Sequence, residues 1–182
     1  MSEFAGKNVL VLGGSRGIGA AIVRRFASEG AKTAFTYLGS AKAAEALAAK
    51  TGAEAIPADS ADRATLVKTV ADRGALDVIV ISAGALVMGD PLTLDADAVD
   101  GLIDVNVRAP YHAAVEAARR MNPGGRIIVI GSTNGDRIPF AAAAPMRSPN
   151  RRCRAWCAAW RATSVHGASP SMRSSQGRPT AT

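Results

Sequence analysis

Residues 8–19 read Asn8-Val9-Leu10-Val11-Leu12-Gly13-Gly14-Ser15-Arg16-Gly17-Ile18-Gly19: an apolar run, a glycine turn and the opening of a helix. No polar residue interrupts Val9 to Leu12, which predicts a strand buried on both faces. The helix after the turn, Ala20 to Glu29, meets Gly30 where helices turn left-handed. In a phosphate-binding turn each glycine has its own task. Gly13 permits the tight bend, Gly17 lets backbone approach a pyrophosphate, and Gly19 lets the helix pack on the strand. The helix N-terminus offers an anion free N–H groups and a positive dipole end. An ordinary glycine turn uses the same residues; the place between a first strand and a first helix is what points to dinucleotide binding.

Outward from this turn, the chain from Lys7 to Gly131 alternates short apolar runs with amphipathic stretches, the pattern of a parallel sheet with helices on both faces. Strands are predicted at 8–12, 33–37, 53–57, 77–81 and 126–130, and helices at 17–29, 41–51, 61–73 and 97–121. In the last helix Val99, Leu102, Ile103, Val107, Tyr111, Ala114, Val115 and Ala118 fall at helical spacing, so one stripe should face a core or a partner. Pro110 should kink it.

The second strand bears on which dinucleotide fits. A dehydrogenase that uses NAD usually ends this strand on an acid that holds the ribose 2′-hydroxyl. Here the segment is Phe35-Thr36-Tyr37-Leu38-Gly39-Ser40, without an acid, while Arg16 sits inside the glycine loop. A guanidinium and a hydroxyl there suit a 2′-phosphate, which favours NADP (NADPH) over NAD.

Five motifs in order then give the chain a family resemblance over residues 6–140. It resembles the short-chain dehydrogenases/reductases in Gly13, Gly17 and Gly19 (Gly-x-x-x-Gly-x-Gly), in Asp59-Ser60 after the third strand, and in Ser82-Ala83-Gly84 after the fourth, where the family has Asn-Ala-Gly. Asn106, in Asp104-Val105-Asn106-Val107, matches the active-site Asn, and Ser132 matches the catalytic Ser. The resemblance implies a doubly wound Rossmann-type sheet of strand order 3-2-1-4-5, with the C-terminal part of the fold missing. It implies a cofactor site built from Gly13, Ser15, Arg16, Gly17, Ile18, Gly19, Tyr37, Ser40, Asp59, Ser60, Ser82, Ala83 and Gly84. The chemistry it implies is hydride transfer between nicotinamide and a small-molecule carbonyl or alcohol. In it a Tyr is the acid or base, a Lys lowers its pKa, the Ser orients substrate and the Asn holds a water. This chain has the Ser and the Asn. Its only tyrosines are Tyr37 and Tyr111 and its last Lys is Lys68, so the Tyr-x-x-x-Lys pair is absent and inactivity is expected. Intact family members are expected to be homo-oligomers; a chain without the end of the fold is not. The stretches GGSRGIGAAIVRRF (13–26), DSADR (59–63), GALD (74–77), APYHAAVEAARRM (109–121) and GDRIP (135–139) are similar to a family member that binds cyclic-di-GMP. They imply, as the alternative, a regulatory protein that promotes biofilm dispersal.

The chain has a formal net charge of +7, and all of it lies at one end. Up to Ala144, fifteen basic and fifteen acidic residues cancel; the last 38 residues hold seven Arg and no acid. They also hold both Cys, both Trp and four of nine Pro, with no Leu or Ile. Two domains of composition result: 1–140, an NADP-binding unit, and 141–182, an Arg/Ser/Pro-rich tail too poor in apolar residues to offset the cost of ordering it. The tail also reads as frame-shifted. With each intended codon taken as the third base of one codon plus the first two of the next, Pro145 to Asn150 can encode Tyr-Ala-x-Ser-Lys, thirteen positions after Ser132. The later codons can continue as the family does. The seven Arg with Trp156 and Trp160 are then no nucleic-acid site, and Cys153, Cys157 and His166 no metal site. No apolar run approaches the roughly 20 residues of a membrane span, and Met1 to Gly14 lacks a basic n-region, so the expected location is cytoplasmic.

Overall fold

The computed structural model describes residues 2–90, 92–131 and 171–175. Its strands are β1 (Asn8–Leu12), β2 (Lys32–Tyr37), β3 (Glu54–Pro57), β4 (Val78–Ile81), β5 (Arg126–Ile130) and β6 (Ser171–Ser175). Its helices are α1 (Gly17–Ser28), α2 (Ala41–Thr51), α3 (Arg63–Ala71), α4 (Ala96–Ile103) and α5 (Ala109–Arg120), the last two joined by a π-helical segment, Asp104–Arg108. Every strand pair is parallel and the order is β3-β2-β1-β4-β5-β6. The chain winds outward from β1 to β3, then crosses to β4 on β1's other side. That reversal leaves a crevice at the carboxyl ends of β1 and β4, where open α/β sheets bind ligands.

The strand pattern produces two apolar layers. Leu10, Leu12, Ile79, Ile81, Ile127 and Val129 point to the face covered by α3 and α5, where they meet Leu66, Val70, Ala113 and Ala117. Val9, Val11, Phe35, Val78 and Val80 point to the other face, where α1 and α2 supply Ala20, Val23, Ala44 and Leu47. The starts of α3 and α4 are set by side-chain caps. Asp62 accepts from the Ala64 and Thr65 N–H groups at 2.9 and 3.2 Å, and Asp95 from the Asp97 N–H at 3.2 Å. Neither α1 nor α2 has a side-chain cap. α1 therefore begins with bare N–H groups at the crevice, as the sequence implies for an anion site.

Two expectations are corrected. The predicted single helix 97–121 is α4, a π segment and α5. Pro110 has no N–H, so the α-type bond to the carbonyl four residues back cannot form, and the widened turn lies on the N-terminal side of the proline. One extra residue in a turn rotates the helix beyond it by about 100°. The buried stripe of α5 is accordingly Ala109, Pro110, Ala113, Ala114, Glu116 and Ala117, and Tyr111 is 46% exposed. Alanines there let α5 lie close to α3. Glu116, 6% exposed, is held by Arg120 at 2.6 Å and Arg119 at 3.3 Å, and these bonds bring its carboxyl below the usual range against the opposing effect of burial.

The second concerns β6. Ser171–Ser175 lie in the segment for which the sequence predicts no secondary structure, and they pair with β5 from Arg126↔Ser171 to Ile130↔Ser175. Edge pairing is made by backbone groups, which every residue but proline supplies whole, so it leaves no apolar signature in the side chains. Among the described residues no helix is long and apolar enough to cross a membrane.

Candidate nucleotide-binding groove

At the crevice the glycine turn is fixed from three sides. The buried Thr36 hydroxyl accepts the Gly13 N–H at 2.9 Å, and the Thr36 carbonyl accepts the Gly14 N–H at 2.9 Å. Gly13 has φ +76°, and a Cβ there would stand 2.6 Å from the Cα of Ala83, so the β1 and β4 turns touch through backbone. A Cβ on Gly19 would stand 2.1 Å from the Gly13 carbonyl oxygen, which is the close helix-on-strand packing read from the sequence. Gly17 differs: φ is +55° and a Cβ there would meet nothing within 4 Å. Its backbone faces open space, where a phosphate has room to approach.

The groove has a volume of ≈ 720 Å³. Its walls include all thirteen cofactor residues expected from the sequence, in four groups: the turn from Gly13 to Gly19, Tyr37 with Ser40, Asp59-Ser60, and Ser82-Ala83-Gly84. Ile18 and Leu38 line it 63% and 68% exposed, apolar side chains facing a cleft rather than a core. Arg16 stands at the N-terminal end of α1, exposed, with no ion-pair partner among the described residues. Asp59 shapes its own loop by accepting the Ala61 N–H at 2.8 Å.

Asn106 lies in the π segment and braces the floor. Its side chain accepts the Ala85 N–H and donates to the Ala85 carbonyl, both at 2.9 Å, so it pins the loop after β4. A Cβ on Gly84 would come within 3.5 Å of its Oδ1. Ser132 lies outside the described residues; Ile130, two positions earlier, is at the groove wall. His112 stacks edge-on with Tyr111 at 5.4 Å beside a smaller pocket that shares Ser60 with the groove. Burial, then the charges of Arg63 and Arg108, push its pKa down.

Sequence reading missed Thr36, Leu38, Gly39, Ala58, Ala85, Val105 and Ile130 as wall residues. Only Thr36 carries a signal, a hydroxyl inside an otherwise apolar strand that must find a partner. The others are read only once the loops are placed.

A family model of short chain dehydrogenase matches residues 7–145. The chain belongs to that family. Among short-chain dehydrogenase relatives, the cyclic-di-GMP-binding biofilm dispersal mediator protein of Escherichia coli (strain K12) is 58% identical over 144 residues, 79% of this chain and 61% of that protein. Elsinochrome reductase 1 of Elsinoe fawcettii is 35% identical over 143 residues, 74% of this chain and 54% of that one. Among solved structures, BdcA in complex with NADPH superimposes with a TM-score of 0.88 at 48% identity, covering 95% of this chain and 70% of BdcA. A short-chain dehydrogenase/reductase from Serratia marcescens BCRC 10948 gives 0.86 at 43% identity, covering 95% and 73%. The chain thus spans little more than half the length of the curated short-chain relatives it matches.

Proposed function

We propose that the groove binds NADPH and that the chain is the cofactor-binding part of a cytoplasmic NADP-dependent short-chain oxidoreductase acting on a carbonyl or alcohol. One observation carries this reading: thirteen residues scattered from Gly13 to Gly84 line one groove, with an exposed Arg16 beside an uncapped helix N-terminus and no acid at the end of β2. Pyrophosphate goes to the N-terminus of α1 at Gly17-Ile18, the adenine to Asp59-Ser60, and the 2′-phosphate to Arg16, Tyr37 and Ser40. The nicotinamide end then lies toward Gly84 and Ile130. The solved neighbour that holds NADPH supports this reading.

When bound, NADPH would supply the hydride. The chain's own part is orientation: Asn106 fixes the Ala85 loop, and Ser132 orients the substrate oxygen. The sequence holds no Tyr-x-x-x-Lys pair to deliver the proton, and we infer that turnover is absent. The test is fluorescence titration with NADPH and NADH, alongside an assay of NADPH oxidation with small ketones and quinones. Saturable NADPH binding is expected, weakened about tenfold in Arg16→Ala (about 1.4 kcal/mol) with NADH nearly unaffected. No binding by a folded sample refutes the groove assignment. Turnover that disappears in Ser132→Ala refutes the inactivity.

The 58% identical relative bears the name of a cyclic-di-GMP-binding protein, which favours one second reading. In it the same groove, with Arg16 against a phosphate, takes a cyclic dinucleotide. Competitive displacement of NADPH by cyclic-di-GMP supports it, and independent or absent binding counts against it.

A further inference from the structure

The chain changes composition at Pro145 in a specific way. Before it stand ten Leu and no Cys or Trp; after it stand two Cys, two Trp and no Leu. The genetic code links these two facts. A Leu codon CTG, read one base late, begins with TG, and TG opens codons only for Cys, Trp and stop. We propose that the segment from Pro145 onward is an out-of-frame translation, one nucleotide late, of a coding sequence that specifies an amphipathic helix and a strand.

Four positions test this without any choice of codon. Cys153, Trp156, Cys157 and Trp160 all begin TG. In the earlier frame each supplies the last two bases of a codon NTG, which encodes Leu, Met or Val whatever the first base. At Trp156/Cys157 the first base is fixed as well, because Trp has one codon, and the result is Val. The forced apolar residues fall at 152, 155, 156 and 159, the i, i+3, i+4, i+7 stripe of a helix that packs on one face. With TCN serine codons, Ala168/Ser169 and Pro170/Ser171 also become apolar, two apart, as in a strand. That strand would begin just ahead of Ser171, from which β6 pairs with β5. No position forces a stop.

Two further observations agree. Parallel neighbours such as β5 and β6 need a long crossover, usually a helix. The earlier frame supplies an apolar stripe for one between Gly131 and Ser171. The match to the family model ends at residue 145, while the relatives run on. The same frame admits Tyr at 145 and Lys at 149. This last point rests on the enzyme reading above; the helix does not.

The experiment is mass spectrometry of the protein purified from its source cells, with sequencing of the gene across codons 140–150. Peptides of the earlier frame are expected, with a Val encoded across codons 156 and 157 and an intact mass other than 18.6 kDa. The present frame yields the tryptic peptide Ala155–Arg161, and its recovery from native protein overturns the proposal. A second arm restores one nucleotide between codons 141 and 145. A repaired protein that melts no higher than the present chain overturns the helix assignment, whatever either protein does with NADPH.

Discussion

The two faces of the sheet are closed to different degrees at β5. On the α3/α5 side Ile127 and Val129 are 0% and 3% exposed, while on the α1/α2 side their neighbours Ile128 and Ile130 are only half-buried. The strand is the same apolar run Arg126-Ile127-Ile128-Val129-Ile130, so the difference comes from what lies over it. α5 packs directly on β4 and β5; α1 and α2 stand over β1, β2 and β3. Among the described residues, then, α5 covers β5 on one side only, and Ile130 on the other side is a wall of the groove. One face is buried along the whole of β5, and the other leaves Ile128 and Ile130 half-buried beside the groove.

The largest expected effect separates the two faces. Ile127→Ala removes a fully buried side chain beneath α5 and should destabilise by about 4 kcal/mol, whereas Ile128→Ala should cost about 1 kcal/mol. Urea unfolding of both variants checks this. Equal losses would mean that the α1/α2 face is as closed at β5 as the other, and the comparison would fail.

A smaller effect separates two glycines of one turn. At Gly13 a methyl group would strike Ala83 backbone at positive φ, so Gly13→Ala should cost about 2–3 kcal/mol and disturb the groove. At Gly17 the same group meets open space, and Gly17→Ala should cost about 1 kcal/mol from its φ alone while weakening NADPH binding at least as much. Thermal melts with and without NADPH distinguish stability from binding. A Gly17 variant that binds as tightly as the parent would remove that backbone from the pyrophosphate site.

These pairs also mark how far the sequence is legible. The parallel sheet and the glycine turn can be read because period, glycine placement and helix entry are local signals, whereas the strand order comes from the family resemblance. The thirteen groove residues can be read because strand ends carry them to one edge. The facing of α5 cannot be: Pro110 announces an irregularity, but whether the chain kinks or inserts a π turn depends on how the alanines of α5 settle on α3. The sequence stripe runs through Tyr111, Ala114, Val115 and Ala118, of which Ala114 is fully buried and Ala118 packs against the core, while burial also takes in Ala113, Glu116 and Ala117. β6 is illegible for a different reason, since an edge pairing uses only backbone. Asn106 is found by its motif, yet its hold on Ala85 needs the fold.

The smallest effect concerns the end of the sheet opposite the groove. Asp77, just before β4, accepts the Asn8 N–H at 2.8 Å and the Asn122 side chain at 3.2 Å, and pairs with Lys7 at 3.1 Å. Burial raises its pKa, but the bonds from Asn8, Lys7 and Asn122 together outweigh it, so the carboxyl sits below its ordinary value. A carboxylate depressed in the folded state stabilises above its unfolded pKa, near 4, and loses that contribution as pH falls through the lower folded value. The fold should therefore weaken on acidification below about pH 4, and Asp77→Asn should flatten that limb while lowering stability at pH 7 by about 1 kcal/mol. Asp59 at the groove has no such set of partners from other strands; its bond is to its own loop. Asp59→Asn should weaken nucleotide binding, and Asp77→Asn should leave it unchanged. If Asp77→Asn weakened nucleotide binding as much as Asp59→Asn, the division between a carboxylate that ties strands together and one that waits for a ligand would not hold.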